Sequence, residues 1–246
     1  MKQSVFGITA VRKLADNTFE TVLSGDVSEI RPGQFVDVAL PEKFLRRPIS
    51  VCDARDGKLT IVYKTVGAGT KQLSEMQVGQ KLDLLTGLGN GYDLSLSGDR
   101  PLLVGGGVGV PPLYMLCREL IRQGKSPTVL LGFNTKSEVF YEREFLNLGA
   151  EVSVATADGS YGTKGFVTGL MQGKDYTYFY SCGPMPMLEA VSRAATSEGE
   201  LSFEERMGCG FGACMGCTCE TLTGNKRICK DGPVMKRSEI KWPTRE

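Results

Sequence analysis

The tightest constraint on this chain comes from its end. Residues 207–246 are rich in glycine and cysteine and poor in large apolar side chains. A segment of that size and composition buries too little surface to fold unaided, so a metal centre has to stand in for a core. Its cysteines run Cys209-x4-Cys214-x2-Cys217-x11-Cys229, with Cys219 left over. The C-x4-C-x2-C…C order is the thiolate spacing of a plant-type [2Fe–2S] cluster. A compact loop brings three thiolates round two irons, and a distant fourth closes the cage. Gly208, Gly210, Gly212 and Gly216 suit such a loop. Glycine accepts positive φ and lets backbone N–H groups approach sulfur. Structural zinc competes, but it usually presents two C-x2-C knuckles and this segment has one. Five reduced, buried cysteines without a metal fit poorly in so glycine-rich a loop. The expected metal ligands are Cys209, Cys214, Cys217 and Cys229. Cys219, between Thr218 and Glu220 in a strand-like run, is expected to face away as a small hydrophobe.

Composition narrows the chemistry. The chain has 246 residues, enough for two or three domains, and no histidine. That excludes a Ser-His-Asp triad, a Cys-His dyad and any His-ligated metal. With 29 basic and 28 acidic residues, net charge +1, there is no field to hold nucleic acid or an anionic membrane. The N-terminus carries Lys2, Arg12 and Lys13 and no signal-like apolar run, and no segment approaches the ~20 apolar residues of a membrane helix. A cytoplasmic location is expected. There, clustered cysteines favour metal or redox work over disulfides.

Three regions follow along the chain. Residues 1–97 hold short alternating or β-branched runs (FETVLSG, QFVDVAL, PISVCD, KLTIVYKTV, KLDLLTGL) punctuated by Pro32-Gly33, Arg55-Asp56-Gly57 and Gly79. They predict an all-β sandwich or small barrel. Residues 98–206 alternate strands with helices. PLLVGGG leads into PPLYMLCRELIRQG, with Leu113, Leu116, Cys117, Leu120 and Ile121 on one stripe. TVLLGF, EVSVATA and YTYFYSCG are further strands. MPMLEAVSRAA is a second helix, with Met187, Leu188, Val191 and Ala194 sharing a face. This predicts a doubly wound parallel sheet. Residues 207–246 form the cluster domain.

Several short motifs carry chemistry. GGGVGVPP, Gly105 to Pro112, follows a strand and opens a helix, as a phosphate-cradling turn does. VGAGTKQLSE, Val66 to Glu75, sets Gly67, Gly69 and Thr70 before a short helix. An ordinary tight turn explains either one alone. In RRPIS, Arg46 to Ser50, an arginine before a proline-stiffened strand can pair with a phosphate; a solvated strand-edge arginine is the plain alternative. Cys52 and Cys117 fall on core-like patterns. Cys182 ends a strand, where parallel sheets bind ligands.

The order R-P-x-S, G-x-G-T, GGGVG and then Cys182-Gly183-Pro184 resembles the ferredoxin–NADP reductase superfamily over residues 1–205. With the cysteine segment and the phrases GLGNGYDL, CGPMPML and ICKDGPV, the whole chain resembles the electron-transfer subunits of type B dihydroorotate dehydrogenase. The resemblance implies an antiparallel β-barrel holding FAD, an α/β domain holding NAD and a small [2Fe–2S] domain. It places Arg47, Pro48, Ile49 and Ser50 beside the isoalloxazine and phosphate of FAD. Val62, Tyr63 and Lys64 would line the flavin by backbone and ring contacts, and Gly69 and Thr70 would hold the pyrophosphate. Gly105, Gly106, Gly107, Gly109, Cys182, Gly183 and Pro184 would form the NAD region, with Cys182 positioning the nicotinamide. The resemblance further implies a partner subunit that oxidises dihydroorotate on FMN, in a heterotetramer of two of each. Electrons would pass through the cluster and FAD to NAD+ in pyrimidine biosynthesis. NAD rather than NADP follows from the resemblance, because Lys136, Ser137 and Glu138 pull in opposite directions. The tail KDGPVMKRSEIKWPTRE is either a docking surface or a solvated face with Trp242 packed. A reductase subunit serving another flavoprotein or ferredoxin, and a non-enzymatic zinc or redox-sensor module, are the competing functions.

Overall fold

The computed structural model describes residues 1–242; the last four residues of the tail and of the cluster domain lie outside the described residues. β1 (Lys2–Ala15), β2 (Thr18–Ser24), β3 (Phe35–Val38), β4 (Arg47–Arg55), β5 (Lys58–Lys64) and, after the short helix α1 (Ala68–Ser74), β6 (Lys81–Leu88) come first. They close into an antiparallel barrel in the order β1-β2-β5-β4-β3-β6. Alternate residues such as Val36 and Val38, Ile49 and Val51, and Leu82 and Leu84 fill its interior. β1 is absent from the runs read in the sequence. Register shifts between Ile8 and Ala10 and between Lys13 and Ala15 break its alternation, and few of its side chains are buried.

The next elements are β7 (Pro101–Gly106), α2 (Pro112–Arg122), β8 (Thr128–Phe133), α3 (Glu142–Leu148), β9 (Glu151–Thr156), β10 (Thr163–Lys164), β11 (Tyr178–Cys182), α4 (Met185–Ala194) and β12 (Gly199–Ser202). Along the strands alternate side chains face opposite layers. Leu103, Val129 and Leu131 meet α2 and α3, whereas Leu102, Val104 and Leu130 meet α4. The helix stripes match the periodicity with one correction. On α4, Leu188 and Val191 are buried but Ala194 is exposed; Ala195, just past the helix, takes the inward position.

The cysteine segment contributes a hairpin of β13 (Thr218–Thr221) and β14 (Gly224–Arg227), one turn of helix, α5 (Ile228–Asp231), and β15 (Val234–Lys236). β15 pairs antiparallel with β12 and completes a seven-stranded sheet in the order β10-β9-β8-β7-β11-β12-β15. The segment therefore borrows its core: Cys217, Ile228, Cys229 and Met235 pack with Leu130, Phe179 and Leu201 of the sheet. Asn90, between barrel and sheet, clamps it. Its N–H donates to Gly232 O (2.7 Å), its Nδ2 donates to Val234 O (2.7 Å), and its Oδ1 accepts from Val234 N (3.1 Å). Gly89 beside it has φ +77, and a Cβ there would come 2.5 Å from Pro233. The phrases GLGNGYDL and ICKDGPV are thus two sides of one contact.

Barrel and sheet are also joined directly. Tyr141 Oη donates to the buried Glu20 (2.7 Å) and accepts from Cys52 Sγ (3.1 Å), while Arg12 bridges Glu20 and Glu144. This puts Cys52 in a buried polar joint, and desolvation pushes its thiol well up. Cys117 lies in the core of α2.

Candidate functional site

The four expected ligands fall into two pairs. Cys209 Sγ accepts from the backbone N–H of Ala213 (3.2 Å) and Cys214 (3.4 Å), and its thiol lies within hydrogen-bond reach of the Cys214 thiol. Cys217 Sγ accepts from Cys229 N–H (3.4 Å), and those two thiols are likewise in contact. Slight desolvation opposes it, but donors from Cys214, Phe211 and Ala213 bring Cys209 down to about 6, toward the thiolate a metal needs. The loop needs its glycines. Gly210 and Gly212 hold φ of +75 and +94, and a Cβ on Gly208 would sit 3.3 Å from Cys214 Sγ. Two pairs suit a two-iron rhomb, which takes two thiolates at each iron. The donor set therefore fits an iron–sulfur cluster. Cys219 lies apart, half-buried on the hairpin against the sheet's apolar layer.

A second site opens where the strand order turns. β7 leads to β8 on one side and pairs with β11 on the other, and the C-terminal ends of β7 and β11 border a cleft of about 560 Å³. Gly106, Gly107, Gly109, Cys182, Gly183 and Pro184 line it, and the barrel contributes Ser50 and Lys64. Gly109 allows the two turns to meet, because any Cβ there would strike the carbonyl of Cys182. Gly106 has Met187 against it in the same way. Gly105 is different: it backs onto Val110 and Leu113 and is not among the cleft-lining residues. The Cys182 thiol, half-buried at a strand end, is pushed up to about 12 by desolvation, with Ser202 pulling it down. Burial there favours the neutral thiol over the thiolate. Lys64 spans the cleft to Glu138 (3.5 Å), which Asn134 also holds.

The barrel side of the site is built by strand parity. On β4, Ile49 enters the barrel core and Ser50 turns toward the cleft. On β5, Val62 and Lys64 face outward, but Tyr63 turns its ring inward onto Phe19 and bonds Thr21 Oγ1 at 3.1 Å. The expected ring contact by Tyr63 is therefore corrected to a backbone position. The Arg47 guanidinium lies directly over Gly69 at the start of α1, leaving no space for a Cβ there. Thr70 Oγ1 closes its own turn by accepting from Val66 N (3.0 Å) and Gly67 N (3.3 Å). The Arg47 guanidinium and the first turn of α1 thus form one corner of the barrel. Pro48 stiffens the strand beside it.

The cleft residues that sequence reasoning missed include Phe166, Phe203 and Glu204. Phe166 is 79% exposed although it lines the cleft. It follows Gly165 at φ +123, and only the exposure of so large a ring marks it. Glu204 continues from β12, whose glycine and glutamate disguised it as a loop. Trp242 packs on Phe203 with ring centroids 6.1 Å apart. No described helix is long and apolar enough to cross a membrane.

The family model described as the iron–sulfur cluster binding domain of dihydroorotate dehydrogenase B matches residues 204–241. The electron-transfer subunit of dihydroorotate dehydrogenase B (NAD+) from Geobacillus sp. (strain WCH70) is 45% identical over 98% of this chain and 99% of its own. The same subunit from Bacillus caldolyticus is 46% identical over 95% and 96%. The chain belongs to this family of electron-transfer subunits. As members of it do, it works with iron–sulfur, FAD and NAD. The structure of an NADH-dependent reduced ferredoxin-NADP oxidoreductase matches the family fold with a TM-score of 0.88, at 30% identity over 97% of this chain and 90% of that one. A flavohemoglobin from Malassezia yamatoensis (TM-score 0.69, 17% identity, 82% and 60% covered) shares the fold alone.

Proposed function

We propose that Cys209, Cys214, Cys217 and Cys229 hold the [2Fe–2S] cluster through which this subunit receives electrons from a dihydroorotate-oxidising partner and delivers them, by way of FAD, to NAD+ in pyrimidine biosynthesis. FAD, when bound, supplies the exchange between the one-electron chemistry of the cluster and the two-electron chemistry of nicotinamide. The partner carries FMN and joins two copies of this chain in a cytoplasmic heterotetramer of two of each. One observation supports this reading most: a thiol site of two pairs packs on the same sheet whose turning point, together with the barrel, forms the cleft.

The chain's own residues then divide the work. Residues 1–97 form the FAD-binding domain, 98–206 the NAD-binding domain and 207–246 the cluster domain. Arg47 and the first turn of α1, with Gly69 and Thr70, take the FAD phosphates. Pro48, Ile49 and Ser50, and the backbone of Val62, Tyr63 and Lys64, shape the flavin side. Gly106, Gly107 and Gly109 let the NAD phosphates approach the backbone, and Gly105 permits the turn behind them. Cys182, Gly183 and Pro184 set the nicotinamide against the barrel. Phe166 offers an aromatic face for the adenine. Phe211 and Met215, 44% and 55% exposed around the outermost thiol, Cys214, form the partner-facing side of the cluster loop. Trp242 acts as an anchor for the tail on Phe203.

Metal and flavin analysis of the purified chain tests this. Two irons, two acid-labile sulfides and one FAD per chain are expected. Stoichiometric zinc, or the absence of flavin, would contradict the reading.

A further inference from the structure

Asp37 lies on β3 between Val36 and Val38, which both point into the barrel. It therefore points outward, and it is only 2% exposed. What covers it is the cysteine loop. A Cβ built on Gly210, the residue after Cys209, would come 2.5 Å from Asp37 Oδ2. The nearby arginines are committed elsewhere. Arg46 donates to the backbone oxygen of Asp37 (3.2 Å) and pairs with Asp83 (3.1 Å). Arg47 donates to the carbonyls of Leu45 and Arg46. Among the described residues, Asp37 Oδ1 has no hydrogen-bond partner. A buried carboxylate without a direct ion pair is costly, and such a group calls for a physical reason.

We propose that Asp37 sets the reduction potential of the cluster, holding it low by placing an incompletely neutralised carboxylate against the loop that carries Cys209. The inference rests on the cluster reading above. A one-electron reduction adds negative charge to a site already bearing four thiolates. Net charge and burial around a cluster are the levers that move its potential, and a carboxylate in a low-dielectric layer opposes the added electron. Burial pushes the Asp37 carboxyl up to about 6, with Arg46 and Arg47 lowering it. A lower cluster potential makes onward transfer to FAD and NAD+ more favourable.

The test is an EPR-monitored redox titration of the holo protein at pH 8.5, comparing wild type with Asp37→Asn. The cluster potential is expected to rise by about tenfold in the one-electron equilibrium, 59 mV, while the FAD potentials move less. Iron content and EPR line shape establish that the cluster is assembled. Should the asparagine variant load poorly, Asp37→Ser, equally neutral and smaller, gives the same comparison. Neutral variants with full clusters at the wild-type potential, or a shift confined to FAD, would overturn the proposal. A wild-type protein without a cluster signal would instead overturn the cluster reading itself.

Discussion

Serine at Cys229 is expected to abolish the cluster, and serine at Cys219 to leave it intact. Cys229 stands 2% exposed in contact with Cys217, and its N–H already donates to the Cys217 sulfur. Removing one thiolate from that pair leaves an iron with a single protein ligand. Disturbing even the surroundings of a metal ligand costs 10–100-fold in affinity, so retention of iron should fall by more than about 100-fold. The loss reaches the fold as well. Cys217 and Cys229 sit in the apolar layer that the cysteine segment shares with the sheet, and metal binding there contributes to folding. The Cys229→Ser chain should therefore melt earlier and lose its visible cluster absorbance. Cys219 packs on the hairpin outside the two pairs, so its serine variant should keep iron content and EPR signal. Equal loss in both variants would mean that the ligand set is misread.

Cys182→Ala is expected to slow hydride exchange with NADH by about 10- to 100-fold, the scale of a small misplacement of reacting groups. FAD and cluster spectra should not change, because Cys182 lines the cleft and touches neither the Arg47 corner nor the thiol pairs. The pH profile adds a second check. The thiol's ordinary value is 9.0, and burial moves it to about 12. It stays protonated from pH 6 to 9, so the variant should lower the rate evenly across that range. The linkage has a definite sign. A raised folded value means that the thiol's contribution to stability is complete below the unfolded value near 9.0 and is lost as pH rises through about 12. NADH oxidation at the wild-type rate would remove Cys182 from the positioning role.

What was legible in the sequence follows from the range of each signal. The cysteine spacing and the glycine turns are local, and they mark the two sites directly. The helical stripe of α2 is equally local, with Leu113, Leu116, Cys117 and Leu120 all buried. The barrel strand β1 was hidden because bulges interrupt its alternation. The clamp by Asn90 was hidden because it joins residues 144 apart, and no local pattern reports such a contact. Tyr63 shows the limit of motif reasoning. Strand parity sends its ring into the barrel, where a motif read along the chain expects a ring contact with the flavin. Phe166 and Glu204 reached the cleft from short, glycine-flanked pieces that carry no periodicity.

In the proposed function, electrons enter from a partner and leave on NAD+. Its most direct test is dihydroorotate-dependent reduction of NAD+, followed at the absorbance of NADH, with this chain and its co-expressed partner measured separately and as the purified complex. NADH formation is expected from the complex alone, and it is expected to be abolished in complexes built with Cys229→Ser. NADH formation from dihydroorotate by the partner without this chain, or undiminished formation in the Cys229→Ser complex, would contradict it.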